Sequence, residues 1–430
     1  MGQTMSSKIL ARASGRESVA AGEIVLARIQ MLSVPDAALF IDKFEKHGLK
    51  VWDPERILFC FDHMFQPEWF PVNAAKEHPK IRKFAKAQGI PANNVYDIGR
   101  NGISHQIPVE DGWALPGTVC IGVDTQSATM GAVNCFALPC LWGADPIVLT
   151  GEIWMMVPQC IRIHLTGKLP NGLLGKDITY RLLKDLGSVV NGRVLEFTGP
   201  GVEELSIDVR MAVANGAVQM GALTMVFPAD QKLMDYMTPR AKEAFEPVKP
   251  DDDADYVARY DYNLEEFDYL VAGPHEIEIV RPLSELLGLE VTAANIGSCS
   301  GGRLEDLALA AEVLRGRKLH PSVRLVVTPI SSTTMRDAME AGILQVLVDA
   351  GATVTSPGCG GCYSGNLSPL KLGDGERCIS SSVETVKGRM GSLEAEIFLA
   401  NAAVVAASAL EGRIASPAKY LNIQNHGVQP

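Results

Sequence analysis

The sequence predicts an α/β protein of two or three domains with mostly parallel sheets. Three observations lead there. Strand-like apolar runs alternate with helical periodicity along almost all of the 430 residues, which is how parallel sheets with covering helices read. Hydrophobic residues make up 47% of the chain, enough for a large core and too many for a disordered protein. The last third reads as a βαβ unit, a connection that parallel strands require.

The elements follow in chain order. RILFCFD (56–62) and TVCIGVD (118–124) read as buried strands of a first domain, 1–157, with a composition break near Pro158. A second domain spans 158–272. It closes on PVKPDDDADYVARYDYNLEEFDY, whose acidic run reads as a solvated surface segment near a boundary. The third domain, 273–430, is the most legible. IGSC ends a strand, and SGGRLEDL opens a helix with Glu305 and Asp306 in its first turn, where negative charge is favoured. VRLVVTPIS (323–331) and ATVTS (352–356) are strands, and TTMRDAMEAGILQVLVDAG (333–351) between them is a helix. IFLANAAVVAASALEG is too short to span a bilayer and reads as a buried core helix.

Composition excludes several functions. A net charge of −11 argues against a nucleic-acid surface. No apolar run is long enough for a membrane span, and no secretory leader is visible. The opening MGQTMS fits the myristoylation pattern, which short stretches match by chance. Nine cysteines in apolar contexts suit a reduced, cytoplasmic chain.

The chemistry centres on three of those cysteines. Cys359 and Cys362 lie in TSPGCGGC just past one expected strand, and Cys299 lies just past another. In such sheets the strand carboxyl ends line the ligand crevice, so the three thiols can meet. A redox pair would need CxxC at the start of a compact βαβ fold. Structural zinc would need a fourth ligand, with Cys378 a candidate. A plain glycine-rich turn is a further reading. The last is a [4Fe–4S] cluster on three thiolates with one iron left open, able to act as a Lewis acid.

IGSCSGGRLEDLALAAEVLRGRK, SPGCGGC and GERCISSS closely resemble large subunits of the aconitase superfamily, on the isopropylmalate dehydratase, homoaconitase and dimethylmalate dehydratase branches. KILAR…AAGEIV, LPGTVCIGVD, LTGKLPNGLLGKDI and GRVLEFTGPGVEELSIDVRM extend the likeness over nearly the whole chain. The resemblance implies an aconitase-type core, three α/β/α domains around a cluster-bearing cleft, with Cys299, Cys359 and Cys362 as the three ligands of a [4Fe–4S] cluster with one open iron. By the same resemblance Asp62 and His63 of FDHM, His105 of GISHQ and Asp124 are catalytic. Thr125, Gln126, Asn215 and Arg389 then bind substrate, and the activity is dehydration of a small hydroxy dicarboxylic acid.

Departures from the family pattern lie near substrate carboxylates. Gln126 replaces a histidine and cannot titrate near neutrality. Gln219 replaces a glutamate, and Glu384 replaces an arginine. The serine motif of the family's swivel domain is missing from the chain, so the resemblance implies a separate small subunit that supplies the proton-abstracting base. A cluster-binding protein with altered or lost catalysis, a sensor or regulator, is the alternative.

Overall fold

The computed structural model describes residues 2–421 apart from 37, 39, 64–70, 142 and 363–369. Met64 of FDHM and Tyr363–Asn366 after the CxxC therefore lie outside the described residues. The chain divides into two compact units, Met1–Lys168 with Ser188–Leu264, and Leu169–Gly187 with Glu265–Pro430.

The first unit opens on helix Met5–Ala13, N-capped by the Thr4 side chain, after Gly2 has bridged to Ala254. Strand β1 (Ile24–Arg28) follows. A five-stranded sheet is then made from β2 (Met31–Pro35), β3 (Ile57–Cys60), β4 (Val95–Tyr96), β5 (Val119–Gly122) and β6 (Phe136–Pro139). Its order is β4-β3-β2-β5-β6, and every pairing is parallel. β2, β3 and β5 are buried at every position, as strands covered on both faces must be. The chain steps outward from β2 in one direction and from β5 in the other, so a topological switch point lies between them. Ligand crevices form at the carboxyl ends of such a pair.

β7 (Glu152–Met156) returns to pair antiparallel with β1. A second sheet combines β8 (Cys160–Thr166), β9 (Val194–Thr198), β10 (Thr224–Val226) and β11 (Ala258–Asn263) in the order β10-β9-β8-β11, all parallel. β11 takes up part of the acidic stretch expected to be solvated surface. It is an edge strand with no fully buried position, while Asp252 and Asp253 before it are exposed as expected.

The second unit holds a seven-stranded sheet of β12 (Leu270–Ala272), β13 (Val280–Pro282), β14 (Ala293–Gly297), β15 (Arg324–Thr328), β16 (Thr353–Val354), β17 (Arg377–Ser380) and β18 (Glu396–Leu399). The order is β13-β12-β18-β17-β14-β15-β16. β12 runs antiparallel to β13 and β18, and the other pairings are parallel. The mostly parallel α/β class read from the sequence is the class observed. Asp306 caps helix Leu304–Leu314 through the Arg303 N–H at 3.1 Å.

Two elements differ from expectation. The helix expected over 333–351 is two, Ser332–Glu340 and Ile343–Ala350, divided at Gly342, whose φ of +69° no right-handed helix accepts. IFLANAAVVAASALEG begins as strand β18 and becomes helix only at Ala402–Glu411, where the Asn401 side chain caps Val404. Among the described residues no helix is long and apolar enough to cross a membrane.

Candidate active site

Each unit carries one cluster of the expected site residues, and both clusters occupy strand carboxyl ends. In the first unit, β2 delivers Asp36, β3 delivers Asp62 and His63, and β5 delivers Asp124. Asp62 is fully buried. One of its oxygens lies 2.7 Å from His63 Nδ1 and the other accepts the Ser104 N–H at 2.8 Å. The neighbouring residue, His105, is buried. Asp124 stands between the two histidines, 3.7 Å from His63 Nε2 and 3.5 Å from His105 Nε2. Those separations exceed a hydrogen bond.

Asp124 also accepts the Gln126 N–H at 2.9 Å, and Thr125 Oγ1 donates to Gln126 Oε1. Thr129 Oγ1 donates to the Gln126 carbonyl at 2.7 Å and accepts from Asn215 Nδ2 at 3.1 Å. Asp62, His63, His105, Asp124, Thr125, Gln126 and Asn215 thus belong to one connected constellation.

Two of its members escaped sequence reading. Asp36 is fully buried. It accepts the His63 backbone N–H at 3.0 Å and pairs with His78 Nε2 at 3.0 Å. His78 is buried against the Phe61 ring, 4.4 Å between centroids. Asp36, Asp62 and His63 present donor atoms within 4.8 Å of one another, but all four carboxylate oxygens are committed to hydrogen bonds within this network.

In the second unit, β14 leads directly to Cys299 and β16 to the CxxC loop, while β17 delivers Ser381 and Ser382. The Gly360–Cys362 turn packs on β14, β15 and the short helix Ser298–Gly301. The glycines are required there. A Cβ on Gly360 would lie 2.0 Å from Thr328 Oγ1, and one on Gly361 would lie 2.2 Å from Asn295 Oδ1. Ser298 is buried with a φ of +67°, a strained conformation of the kind that aims functional groups.

The three thiols differ from Cys378, the candidate fourth ligand. Cys378 is the second residue of β17, away from the carboxyl end, and burial pushes its thiol up. Cys362 is held below the usual thiol range. Burial opposes ionisation, but the Arg389 guanidinium and hydrogen bonds from the 382–383 segment outweigh it. Arg389 Nε donates to the Cys362 carbonyl at 2.6 Å, and Nη2 lies 3.6 Å from its sulfur. Lys176 is buried, with its ammonium on the Ser382 carbonyl at 2.7 Å and on Tyr180 Oη at 3.2 Å. Burial lowers Lys176 to about 8 against the pull of Cys299, Asp306, Cys362 and Asp177.

This neighbourhood fits an iron–sulfur group. It offers soft sulfur donors and none is in a disulfide. Two cationic side chains face the thiols, and among the described residues Ser298 Oγ and Asn295 Oδ1 are buried without partners, as donors and acceptors meant for a further group are.

The profile of the family described as Aconitase family (aconitate hydratase) matches residues 37–412. The chain belongs to the aconitase family. As a member it is an iron–sulfur hydro-lyase. The 3-isopropylmalate dehydratase large subunit 1 of Methanopyrus kandleri is 39% identical over 427 residues, covering 98% of this chain and 100% of that protein. The 3-isopropylmalate dehydratase large subunit 1 of Pyrococcus furiosus is 39% identical over 426 residues, 97% of this chain and 98% of the relative. Among solved structures, Thermococcus kodakaraensis aconitase X in its holo form matches with 12% identity and a TM-score of 0.48, over 86% of this chain and 88% of that one.

Proposed function

We propose that this chain is the large subunit of a dehydratase acting on a 3-isopropylmalate- or 2,3-dimethylmalate-like hydroxy dicarboxylic acid, completed by a separate small swivel-domain subunit. The observation that carries the reading is end-to-end similarity to proteins named 3-isopropylmalate dehydratase large subunit, on a chain that keeps both clusters. Cys299, Cys359 and Cys362 would hold a [4Fe–4S] cluster. Bound there, the cluster supplies Lewis-acid chemistry toward a substrate carboxylate and hydroxyl. The same reading divides the chain into three α/β domains, over 1–157, 158–272 and 273–430, and places the protein in the cytoplasm.

This chain's own residues hold the proton for the departing hydroxyl. Asp62 accepts from His63 Nδ1 and fixes the ring, so the proton to be donated sits at Nε2. Asp124 lies beside Nε2 of both His63 and His105. Gln126, fixed by Thr125 and Thr129, offers an uncharged amide to substrate. Asn215 supports that loop from behind. Glu384 lies close enough to raise the Arg389 pKa, so the pair presents less net positive charge than two arginines would. That favours a substrate with an apolar group, rather than a further carboxylate, at this end.

The test is anaerobic reconstitution with iron and sulfide, followed by assay with the small subunit against 3-isopropylmalate, 2,3-dimethylmalate and homocitrate. Expected are iron–sulfur absorbance, loss of that absorbance in Cys299→Ser, and formation of an unsaturated diacid from one of the first two acids. Absorbance without turnover of any diacid would leave a cluster-binding protein and overturn the dehydratase reading.

A further inference from the structure

Strands β1 and β7 form a two-stranded ribbon whose register sets Ile24 against Met156, Leu26 against Trp154 and Arg28 against Glu152. Alternation puts Val25, Ala27 and Met155 on the core face, where they are buried. Ile24, Leu26, Trp154 and Met156 stand on the other face, exposed by 66, 52, 75 and 62%. An antiparallel ribbon with one solvated face ordinarily carries polar residues there. These four side chains together present roughly 500 Å² of contiguous apolar surface, as much as the largest, usually functional, patches on monomers.

We infer that this face is where two copies of the chain meet. Its place at the amino ends of the first unit's parallel sheet separates it from the site residues at the carboxyl ends, and only the position of the small subunit rests on the proposed function. Ile29 and Gln30, which follow β1, bond to Gly151 and to Val119, the first residue of β5. The ribbon therefore adjoins the amino ends of β2 and β5, whereas Asp36 and Asp124 follow their carboxyl ends. A small subunit that completes the site works at the carboxyl ends and leaves the ribbon uncovered.

Area and charge favour a second copy as the occupant. A twofold contact removes the patch twice, roughly 1,000 Å² of surface, the floor for a biological interface. One end of the ribbon carries Arg28 beside Glu152 at 3.7 Å, and the other carries Arg16 beside Glu23 at 2.9 Å. Each end holds both signs, so a twofold pairing of the faces can set opposite charges together at its rim. A net charge of −11 disfavours an anionic lipid surface as the occupant instead.

The experiment is sedimentation equilibrium at micromolar concentration on the large chain alone and on its complex with the small subunit. Wild type, Trp154→Glu, Leu26→Asp and the control Leu393→Asp, an exposed apolar residue of the second unit, are compared. Expected is twice the chain mass for wild type and control, and a single chain mass for both ribbon variants. Circular dichroism and small-subunit binding should be unchanged in the variants. Intrinsic fluorescence should shift to the red on dilution in wild type but not in Trp154→Phe. A monomeric wild type overturns the inference, as do variants that remain dimeric. Loss of small-subunit binding in place of self-association, or binding of the monomer to phosphatidylcholine vesicles, overturns it equally.

Discussion

At the residue scale, the proposed acid–base work rests on rings held by carboxylates. His63→Asn removes the ring that Asp62 orients, and kcat is expected to fall by about 10²- to 10⁴-fold with KM nearly unchanged. Asp36→Asn leaves the ring chemistry intact but weakens its grip on the His63 backbone N–H. Displacement of that order predicts a loss of about 10- to 100-fold in kcat, read in the same steady-state assay. His78→Leu removes the Nε2 partner of one buried Asp36 oxygen and should lower stability by about 1–3 kcal/mol, whereas His78→Gln, which can still donate, should cost less. Thermal melting of the apo chain separates the two. The contrast shows what the sequence could reveal. Cys299 was legible because it directly follows a strand end, whereas Asp62, His63 and Asp124, which also follow strand ends, were reached only through the family resemblance of their segments. Asp36 has the same address, but VPDAA offers no second signal beside it. His78 lies in AAKEHPKIRK, where charged neighbours suggest a solvated face, and its burial depends on Phe61 from another element.

At the element scale, the loops that carry the cysteines leave no spare volume. Gly297 ends β14 with a φ of +132°, and a Cβ there would lie 2.1 Å from the Thr328 carbonyl. Backbone on both sides makes the clash hard to relieve. Gly297→Ala should therefore cost about 3 kcal/mol or more, seen as a drop of roughly 10 °C in the apo melting temperature. Helix Gly175–Leu186 makes a pH prediction. Burial pushes the Asp177 carboxyl up to about 7 from a reference of 3.8, against hydrogen bonds from the Leu174 N–H and Asn401 and the charge of Lys176. The folded chain then binds this proton more tightly than the unfolded one, so stability falls as pH rises from about 4 to 7. Relative to Asp177→Asn, wild type should lose up to about 4 kcal/mol across that window, measured by urea unfolding. Lys176, lowered to about 8, slopes the other way only above that pH. Neither effect was visible in LLGKDI, because a charged pair in a helical pattern reads as solvated until the covering strands are known. The split helix at Gly342 was missed for the opposite reason: its periodicity runs on unbroken through a glycine whose φ is +69°.

At the scale of the whole molecule, the division into units is not a division of the gene. Leu169–Gly187 lies between two segments of the first unit yet belongs to the second. Its helix, Gly175–Leu186, packs on β12 and β13 and buries Ile178, Tyr180, Leu182, Leu183 and Leu186. Each such side chain contributes about 1.5–3 kcal/mol when removed from water, so together they are worth roughly as much as the 5–15 kcal/mol net stability of a domain. A chain cut between Leu264 and Glu265 separates that helix from its sheet. Fragment 265–430 alone should then fail to fold, and fragment 1–264 should expose the helix's apolar face and aggregate. Co-expression of the two should restore a soluble complex that takes up iron on reconstitution. A second cut pattern checks the cause: 265–430 with residues 169–187 fused through a flexible linker should melt cooperatively without the first unit. If fragment 265–430 melts cooperatively by itself in calorimetry, the inserted helix is a cover the sheet can lose, and the assignment of 169–187 to that core's stability is wrong.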